Sequence, residues 1–467
     1  MPVSAAELFD WHARPGAFER LMPPWKTLRI KEKSGTVKDG DRLVLMMKAG
    51  PVWVRWEAVH EGYVHGAQFV DVQQKGGGPM RSWRHTHRFL PAAGVVQRGS
   101  ILSDEIAYQL PLGAIGRAAA GGKFAAELDR LFEFRHARTR QDLARHAYAR
   151  EEMAPGRPTD LKIVMSGASG AIGRELRHFL TTGGHSVQRL VRRKADTNAG
   201  EIFWQPGAGA RGGQIDEGEL EGCDAVIHLA GESTAIGRWT DNKKKAIRES
   251  RVDSTRLIAR SLANLKQRPK VLIVASGVHY YGDRGDQELA EDAGVGSGFL
   301  AEVSREWEAA SEPASQAGIR VVHLRIGLVL SVRGGLLPML LPAARLGLGC
   351  IVGRGTQWWS WIGQDDLFGV ILHALSCEQL RGGVNAVTPQ PVRMHEFATA
   401  LAELVDRPLL TRVPAFALRA MIGERAEVVC TSTRAVPEAL RQTGFRFMYS
   451  GLGEALGWEV AGRTNRK

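Results

Sequence analysis

Apolar and polar positions follow two rhythms along this chain, and the change falls near residue 160. Before it, short alternating runs dominate: Leu43 to Lys48, Val52 to Val59, His65 to Val72, Ser82 to Leu90 and the region from Val95 to Tyr108. Alternation is clearest in Trp53-Val54-Arg55-Trp56-Glu57 and Trp83-Arg84-His85-Thr86-His87-Arg88-Phe89, which predicts strands with one buried and one solvated face. Trp53 and Trp56 then lie on opposite faces, so at least one belongs to the core. An amphipathic helix is predicted from about Lys123 to Tyr148, with Phe124, Leu128, Leu131 and Phe132 on one side. An antiparallel sheet wrapped on such a helix encloses a cupped cavity.

Beyond the change, predominantly apolar strands alternate with helices. Leu161 to Met165, Ser186 to Val191, Ala225 to Leu229 and Val271 to Ala275 read as parallel strands covered on both faces. The first runs directly into Ser166-Gly167-Ala168-Ser169-Gly170-Ala171-Ile172-Gly173, a glycine-rich turn that opens a helix. Gly167 allows the tight turn, Gly170 lets backbone approach a pyrophosphate, and Gly173 lets the helix pack on the strand, with helix N–H groups facing the anion. Ser169, Ala171 and Ile172 belong to the same cradle. The second strand ends in Arg192-Arg193-Lys194 where an NAD-selective domain would place an acid. Arg192 and Arg193 suit a 2′-phosphate, so NADP is expected, with NAD as the alternative; the competing reading is a solvated basic strand end. Leu229, Ala230 and Gly231 leave room for adenosine at the third strand's end, and Ala275 closes the fourth beside the same pocket.

The chain of 467 residues, 24% charged and 44% hydrophobic, has room for two or three domains. Residues 1–150 form the first, 151–160 a charged, proline-containing linker, 161–408 the dinucleotide domain and 409–467 a small C-terminal one. No apolar stretch is long enough to span a bilayer and Met1-Pro2-Val3-Ser4 lacks a signal-peptide pattern, so cytoplasm is expected. Four scattered cysteines read as buried free thiols. The net charge of +12 is spread along the sequence, and its one dense run, Lys243-Lys244-Lys245, reads as a solvated helix start, so no nucleic-acid partner is expected. His85 and His87 share a strand face, but no third ligand is evident and no metal is expected.

From about residue 161 onward the sequence resembles the atypical short-chain dehydrogenase/reductases of the epimerase family. The resemblance is carried by Ser166 to Gly173, Leu229 to Glu232, Arg238-Trp239-Thr240, Ser250-Arg251-Val252 with Thr255, and Tyr280-Tyr281-Gly282. Gly298 to Ala301, Arg325 to Leu330 and Ser360-Trp361-Ile362 with Asp365-Asp366 extend it, as does a tail similar to that family's C-terminal domain of unknown function. Residues 1–150 resemble the SRPBCC superfamily, a START-like helix-grip fold, through Phe9-x-x-His12, Arg20 to Trp25, Trp83-Arg84-His85-x-His87 and Asp104 to Tyr108. The fold class implied is α/β, a doubly wound Rossmann sheet with a small C-terminal domain, preceded by an α+β helix-grip domain that would hold an apolar ligand. The superfamily's Tyr-x-x-x-Lys proton relay is missing: Phe299 and Val303 stand in its place, and no lysine occurs between Lys270 and Lys467. Ser276, Tyr280 and Tyr281 are the remaining catalytic candidates, with aromatic packing as their alternative role. Glu232 and Asp286 are polar candidates with loop or capping roles as the alternative. An oxidoreductase or nucleotide-sugar epimerase with non-standard residues, acting on a small molecule, is one reading; a non-catalytic NADP-dependent sensor or scaffold is the other.

Overall fold

The computed structural model describes residues 1–92, 99–153, 160–207, 213–409, 411–449 and 451–462. The first residues of the strand expected from Val95, most of the expected linker and the last five residues of the chain lie outside them. The chain divides into two compact units, Met1–Thr159 with His178–Gly184, and Asp160–Arg177 with His185–Lys467. Among the described residues no helix is long and apolar enough to cross a membrane.

The first unit carries a six-stranded antiparallel sheet in sequential order: β1 (Leu28–Lys33), β2 (Arg42–Ala49), β3 (Val52–Val64), β4 (Gln68–Gln73), β5 (Ser82–Pro91) and β6 (Ser100–Gln109). β1 has no counterpart in the periodicity reading, because Lys31, Glu32 and Lys33 give this edge strand an exposed, charged surface. The long helix starts at Gly113 rather than Lys123. Its first turns hold Gly113, Gly116, Gly121 and Gly122, whose low helix propensity conceals it in sequence. Leu8, Phe9, Trp11, Phe69, Phe89 and Leu143 form a buried core; each such side chain contributes roughly 1.5–3 kcal/mol by leaving water. Neither tryptophan of β3 is fully buried. Trp56 stacks edge-on against Trp83 at 5.1 Å and lines a cavity, while Trp53 lies under the Arg29 guanidinium at 4.3 Å.

The second unit is built on an eight-stranded sheet. β7 (Lys162–Ser166), β8 (Ser186–Val191), β9 (Glu201–Gln205), β10 (Gln214–Ile215), β11 (Ala225–His228) and β12 (Val271–Gly277) are followed by the strands Arg320–Ile326 and Gly382–Ala386. The spatial order is β10-β9-β8-β7-β11-β12 and then those two, parallel except for β10 against β9. This is the Rossmann-type α/β sheet expected from the apolar runs. Ile163, Val164, Met165, Leu272, Ile273 and Val274 are inaccessible to solvent, as a sheet covered on both faces requires. Strand order reverses between β7 and β11, whose ends are held in register by Ser166 opposite His228. A ligand crevice belongs at that reversal, beyond the carboxyl ends of the strands.

Candidate functional site

The glycine loop lies at this switch point, between β7 and the helix Ala171–Thr182. Gly167 has φ +72°, and a Cβ there would meet the carbonyl carbon of Leu229 at 2.7 Å and the nitrogen of Ala230 at 2.8 Å. At Gly173 a Cβ would stand 2.3 Å from the Gly167 oxygen. Chain packing alone therefore demands glycine at both positions. Gly170 differs: it is exposed, and a Cβ on it would meet only the Gly167 oxygen, at 3.2 Å. Among the described residues, its chain neighbours aside, no other atom comes within 4 Å of that position. Ser169 is exposed beside it, and Ala171 and Ile172 are half-buried at the helix start. Gly334, from a later loop, comes so close that its Cβ would lie 2.2 Å from that of Ala171.

The opposite wall is fixed by a buried chain of hydrogen bonds. His228 lies between the Ser166 hydroxyl on Nδ1 and the Ser254 hydroxyl, 3.0 Å from Nε2. Ser254 Oγ donates to the Ser250 carbonyl, so it accepts from Nε2–H, and Ser166 donates to Nδ1 while accepting the Ala230 N–H at 3.4 Å. Burial and the nearby Arg251 cation push the His228 pKa down to about 3, so the ring is neutral. Beneath Gly231 lies Arg251, whose Nη1 donates to the carbonyls of Glu232 and Ile247 at 2.9 and 3.1 Å. Burial lowers its pKa to about 10, which leaves a fixed cation at the crevice. Ser254 and His228 escape a motif reading because they join Ser166 of the glycine loop across about 60 residues or more of sequence.

Arg192 is exposed at the end of β8. Arg193 is engaged: with Arg189 it pairs to the buried carboxylate of Glu201, at 2.6 and 2.7 Å. Hydrogen bonds from the Asp196 N–H and Arg193 hold the Glu201 pKa below the ordinary carboxylate range.

Ala275 is buried at the end of β12, and the polar residues that follow it are bound to one another. Ser276 donates to Glu308 Oε1 at 2.9 Å, and Arg325 grips both Glu308 oxygens at 3.0 Å. Arg325 also donates to the Tyr281 hydroxyl at 2.9 Å, and that hydroxyl donates to Asn385 at 2.7 Å. Tyr281 is inaccessible to solvent, and burial raises its pKa to about 12. Its phenol is thus buried between two partners, and Ser276 is likewise bound to Glu308. Tyr280 is half-buried, its ring 3.6 Å beneath the Arg325 guanidinium. Phe299, at the missing tyrosine's position, packs on Trp239 at 5.5 Å with Lys244 Nζ 5.6 Å from its ring, and Val303 is buried.

The other polar candidates have structural partners. Glu232 pairs with Lys243, and Asp286 accepts from Trp358 Nε1 at 2.8 Å and pairs with Arg393. Asp365 and Asp366 lie in a helix's first turn but receive the C-terminal segment: Trp458 Nε1 donates to Asp365 at 2.9 Å, the Met448 N–H to Asp366 at 2.7 Å.

In the first unit, a cavity of about 410 Å³ is lined by Trp56, Trp83, Leu128 and Phe132, with Asp71, His85 and His87 in its wall. His60 Nε2 lies 2.8 Å from Asp71 Oδ1. His85 Nε2 and His136 Nε2 lie 2.9 and 2.5 Å from the two oxygens of Asp104. Burial opposes charge on His87, but the carboxylates of Asp104 and Asp71 beside it outweigh that and raise its pKa to about 9. The pair His85 and His87, which shows no third ligand in sequence, acquires one in Asp71. Asp71 sits directly across from His85 on β4, a neighbour that only strand register reveals.

Comparison with known proteins agrees with the second unit's geometry. Residues 163–385 match the model of the NAD dependent epimerase/dehydratase family, and 413–459 that of a domain of unknown function. An epimerase family protein of Mycobacterium bovis is 39% identical over 297 residues, 63% of this chain and 96% of its own length. A crystal structure described as the nucleoside-diphosphate sugar epimerase of Corynebacterium glutamicum is 32% identical, spans 99% of this chain and 89% of its own, and superposes with a TM-score of 0.79. A human epimerase family protein, crystallised with NADPH, is 30% identical over 64% of this chain and 99% of its own, with a TM-score of 0.59.

Proposed function

We propose, from the premise that the chain belongs to the NAD-dependent epimerase/dehydratase family, that its Rossmann unit binds NADP(H), with NAD(H) as the weaker alternative. The observation that carries this is Gly170: the chain itself demands glycine at 167 and 173, whereas the open space above residue 170 is explained by a pyrophosphate. Gly167, Ser169, Gly170, Ala171, Ile172 and Gly173 would hold the phosphates, Arg192 the 2′-phosphate, and Leu229, Ala230, Gly231 and Ala275 the adenosine side. Arg193 contributes less than its neighbour because Glu201 already holds it.

When bound, the cofactor supplies a hydride donor or acceptor. The chain's own part is orientation and proton handling. Of the three residues expected to do acid–base work, Tyr280 remains, since Ser276 and Tyr281 are committed to Glu308, Arg325 and Asn385. On this reading the protein is an oxidoreductase or epimerase of a small molecule in which Tyr280 replaces the usual tyrosine. The apolar burial of Val303 and the packing of Phe299 favour a second reading, an NADP(H)-responsive sensor without turnover. For the first unit, we propose an SRPBCC-type domain whose cavity takes a largely apolar ligand.

The test begins with the nucleotide released on denaturing the purified full chain, followed by nicotinamide absorbance with nucleotide sugars and small carbonyl compounds. Turnover that Tyr280→Phe removes supports the enzyme. NADP(H) retained without turnover supports the sensor, and a chain that neither retains nor binds NADP(H) rejects both.

A further inference from the structure

We propose that the N-terminal unit holds a divalent transition-metal ion between Asp71, His85 and His87, with an open coordination position facing its cavity. His85 and His87 are alternate residues of β5 and so share its inner face, and Asp71 is the cross-strand neighbour of His85. Each offers one ligand atom, and these atoms all lie within 4.8 Å of one another. Asp71 Oδ2 is 3.4 Å from His85 Nδ1 and 3.2 Å from His87 Nε2. A tetrahedral site with bonds of about 2.05 Å has edges of about 3.3 Å, so both spacings match two ligands of one ion, and the shorter is also a hydrogen bond between His87 and Asp71. The longer one lies beyond an ordinary N–H···O bond.

The outer nitrogens complete the pattern. Metal-bound imidazoles need their second N–H oriented, most often by a carboxylate. His85 Nε2 lies 2.9 Å from Asp104 Oδ1, and His87 Nδ1 lies 2.7 Å from the same oxygen, off the line of a good hydrogen bond. His60 Nε2 in turn holds the other oxygen of Asp71 at 2.8 Å. A single carboxylate thus stands behind both ligand rings, and a histidine stands behind the ligand carboxylate. The histidine side chains are only 2% and 9% exposed, a placement that an ordinary apolar core has no need of.

Two imidazoles, each giving up the proton on its ligand nitrogen as the ion binds, and one carboxylate suit zinc, iron(II) or manganese(II); calcium and magnesium prefer all-oxygen sites. Since all three ligand residues line the cavity, the open position would meet the polar end of its occupant. Arg135 lines the same cavity, and its Nε is buried with no hydrogen-bond partner among the described residues. A carbonyl or carboxylate on an otherwise apolar molecule fits both groups. This site is independent of the dinucleotide reading of the other unit.

The experiment is titration of the full, chelator-treated chain with Zn²⁺, Co²⁺ and, without oxygen, Fe²⁺, with bound metal measured by mass spectrometry. A single ion per chain is expected, Co²⁺ giving the visible spectrum of a low-coordinate nitrogen and oxygen site. Asp71→Asn and His87→Gln should weaken binding at least 100-fold with the unfolding midpoint retained, and Asp104→Asn should weaken it roughly 10- to 100-fold. If the ligand variants fail to fold, the cobalt spectrum of the wild type and its change in Asp104→Asn decide. No stoichiometric ion, a cobalt spectrum of purely hydrated metal, or equal affinity in folded ligand variants, which would mark an adventitious ion only, overturns the proposal.

Discussion

Each unit holds a cluster of buried charged and polar side chains near its sheet, and the two clusters differ in arrangement. In the Rossmann unit, Ser276, Glu308, Arg325, Tyr281 and Asn385 form one connected circuit of hydrogen bonds with a bidentate ion pair at its centre. In the N-terminal unit, the ligand atoms of Asp71, His85 and His87, one from each, lie within 4.8 Å of one another beside a cavity, with Asp104 paired to His85 and His60 to Asp71. A connected circuit stiffens a fold, and a cluster beside a cavity recognises something. Residue type does not distinguish them, because both are rich in groups that catalyse reactions elsewhere. Geometry does.

If the Rossmann circuit is structural, breaking its centre should produce the largest effect. Arg325→Ala leaves the half-buried Glu308 without its cation and should cost up to about 3–5 kcal/mol, measured by urea unfolding with hydrogen exchange in the β12 peptides to assign the loss. A change confined to NADP(H) affinity would contradict the structural role. The second largest effect concerns pH. His228 is neutral in the fold down to about pH 3, whereas an unfolded imidazole gains its proton near 6.5. Between these values the unfolded state binds the extra proton, so stability is full above 6.5 and falls as pH drops, by about 1.4 kcal/mol per unit. Urea midpoints measured from pH 7 to 5 should fall, and His228→Asn should remove the His228 share of the slope, leaving that of the likewise depressed His12 and His279.

Smaller effects sharpen the contrast further. Arg192→Ala should reduce the preference for NADPH over NADH about tenfold, read by comparative titration, with stability unchanged. Equal losses for both nucleotides would place the 2′-phosphate elsewhere. Tyr281→Phe removes one buried hydroxyl and should cost about 1–2 kcal/mol in unfolding while leaving any turnover intact. A loss of turnover with stability preserved would return Tyr281 to the chemistry.

The dinucleotide crevice was the more legible of the two regions. Continuous apolar runs predict a covered parallel sheet, and the spacing of Gly167, Gly170 and Gly173 predicts the loop, because these signals are local. The sequence also shows Phe299 and Val303 in place of the relay. It does not show that Ser276 and Tyr281 are spent on Glu308, Arg325 and Asn385, partners brought in from other strands and helices. The same limit hid the N-terminal cluster: His85 and His87 are visible as alternating residues, but Asp71 and Asp104 join them only through strand register. Edge strand β1 and the start of the long helix were obscured for a different reason, since charged edge residues and helical glycines contradict the local propensity they would need.

The most direct test of the central claim is a titration of the full chain with NADPH, run beside Gly170→Asp. The variant places a carboxylate where the pyrophosphate is expected, while a Cβ there meets only the Gly167 oxygen at 3.2 Å, so the fold should survive. Saturable binding by the wild type, in roughly the micromolar range of −8 kcal/mol, and a loss of at least 100-fold in a variant with an unchanged unfolding midpoint is the predicted result. Absence of saturable binding, or equal affinity in both proteins, would contradict it.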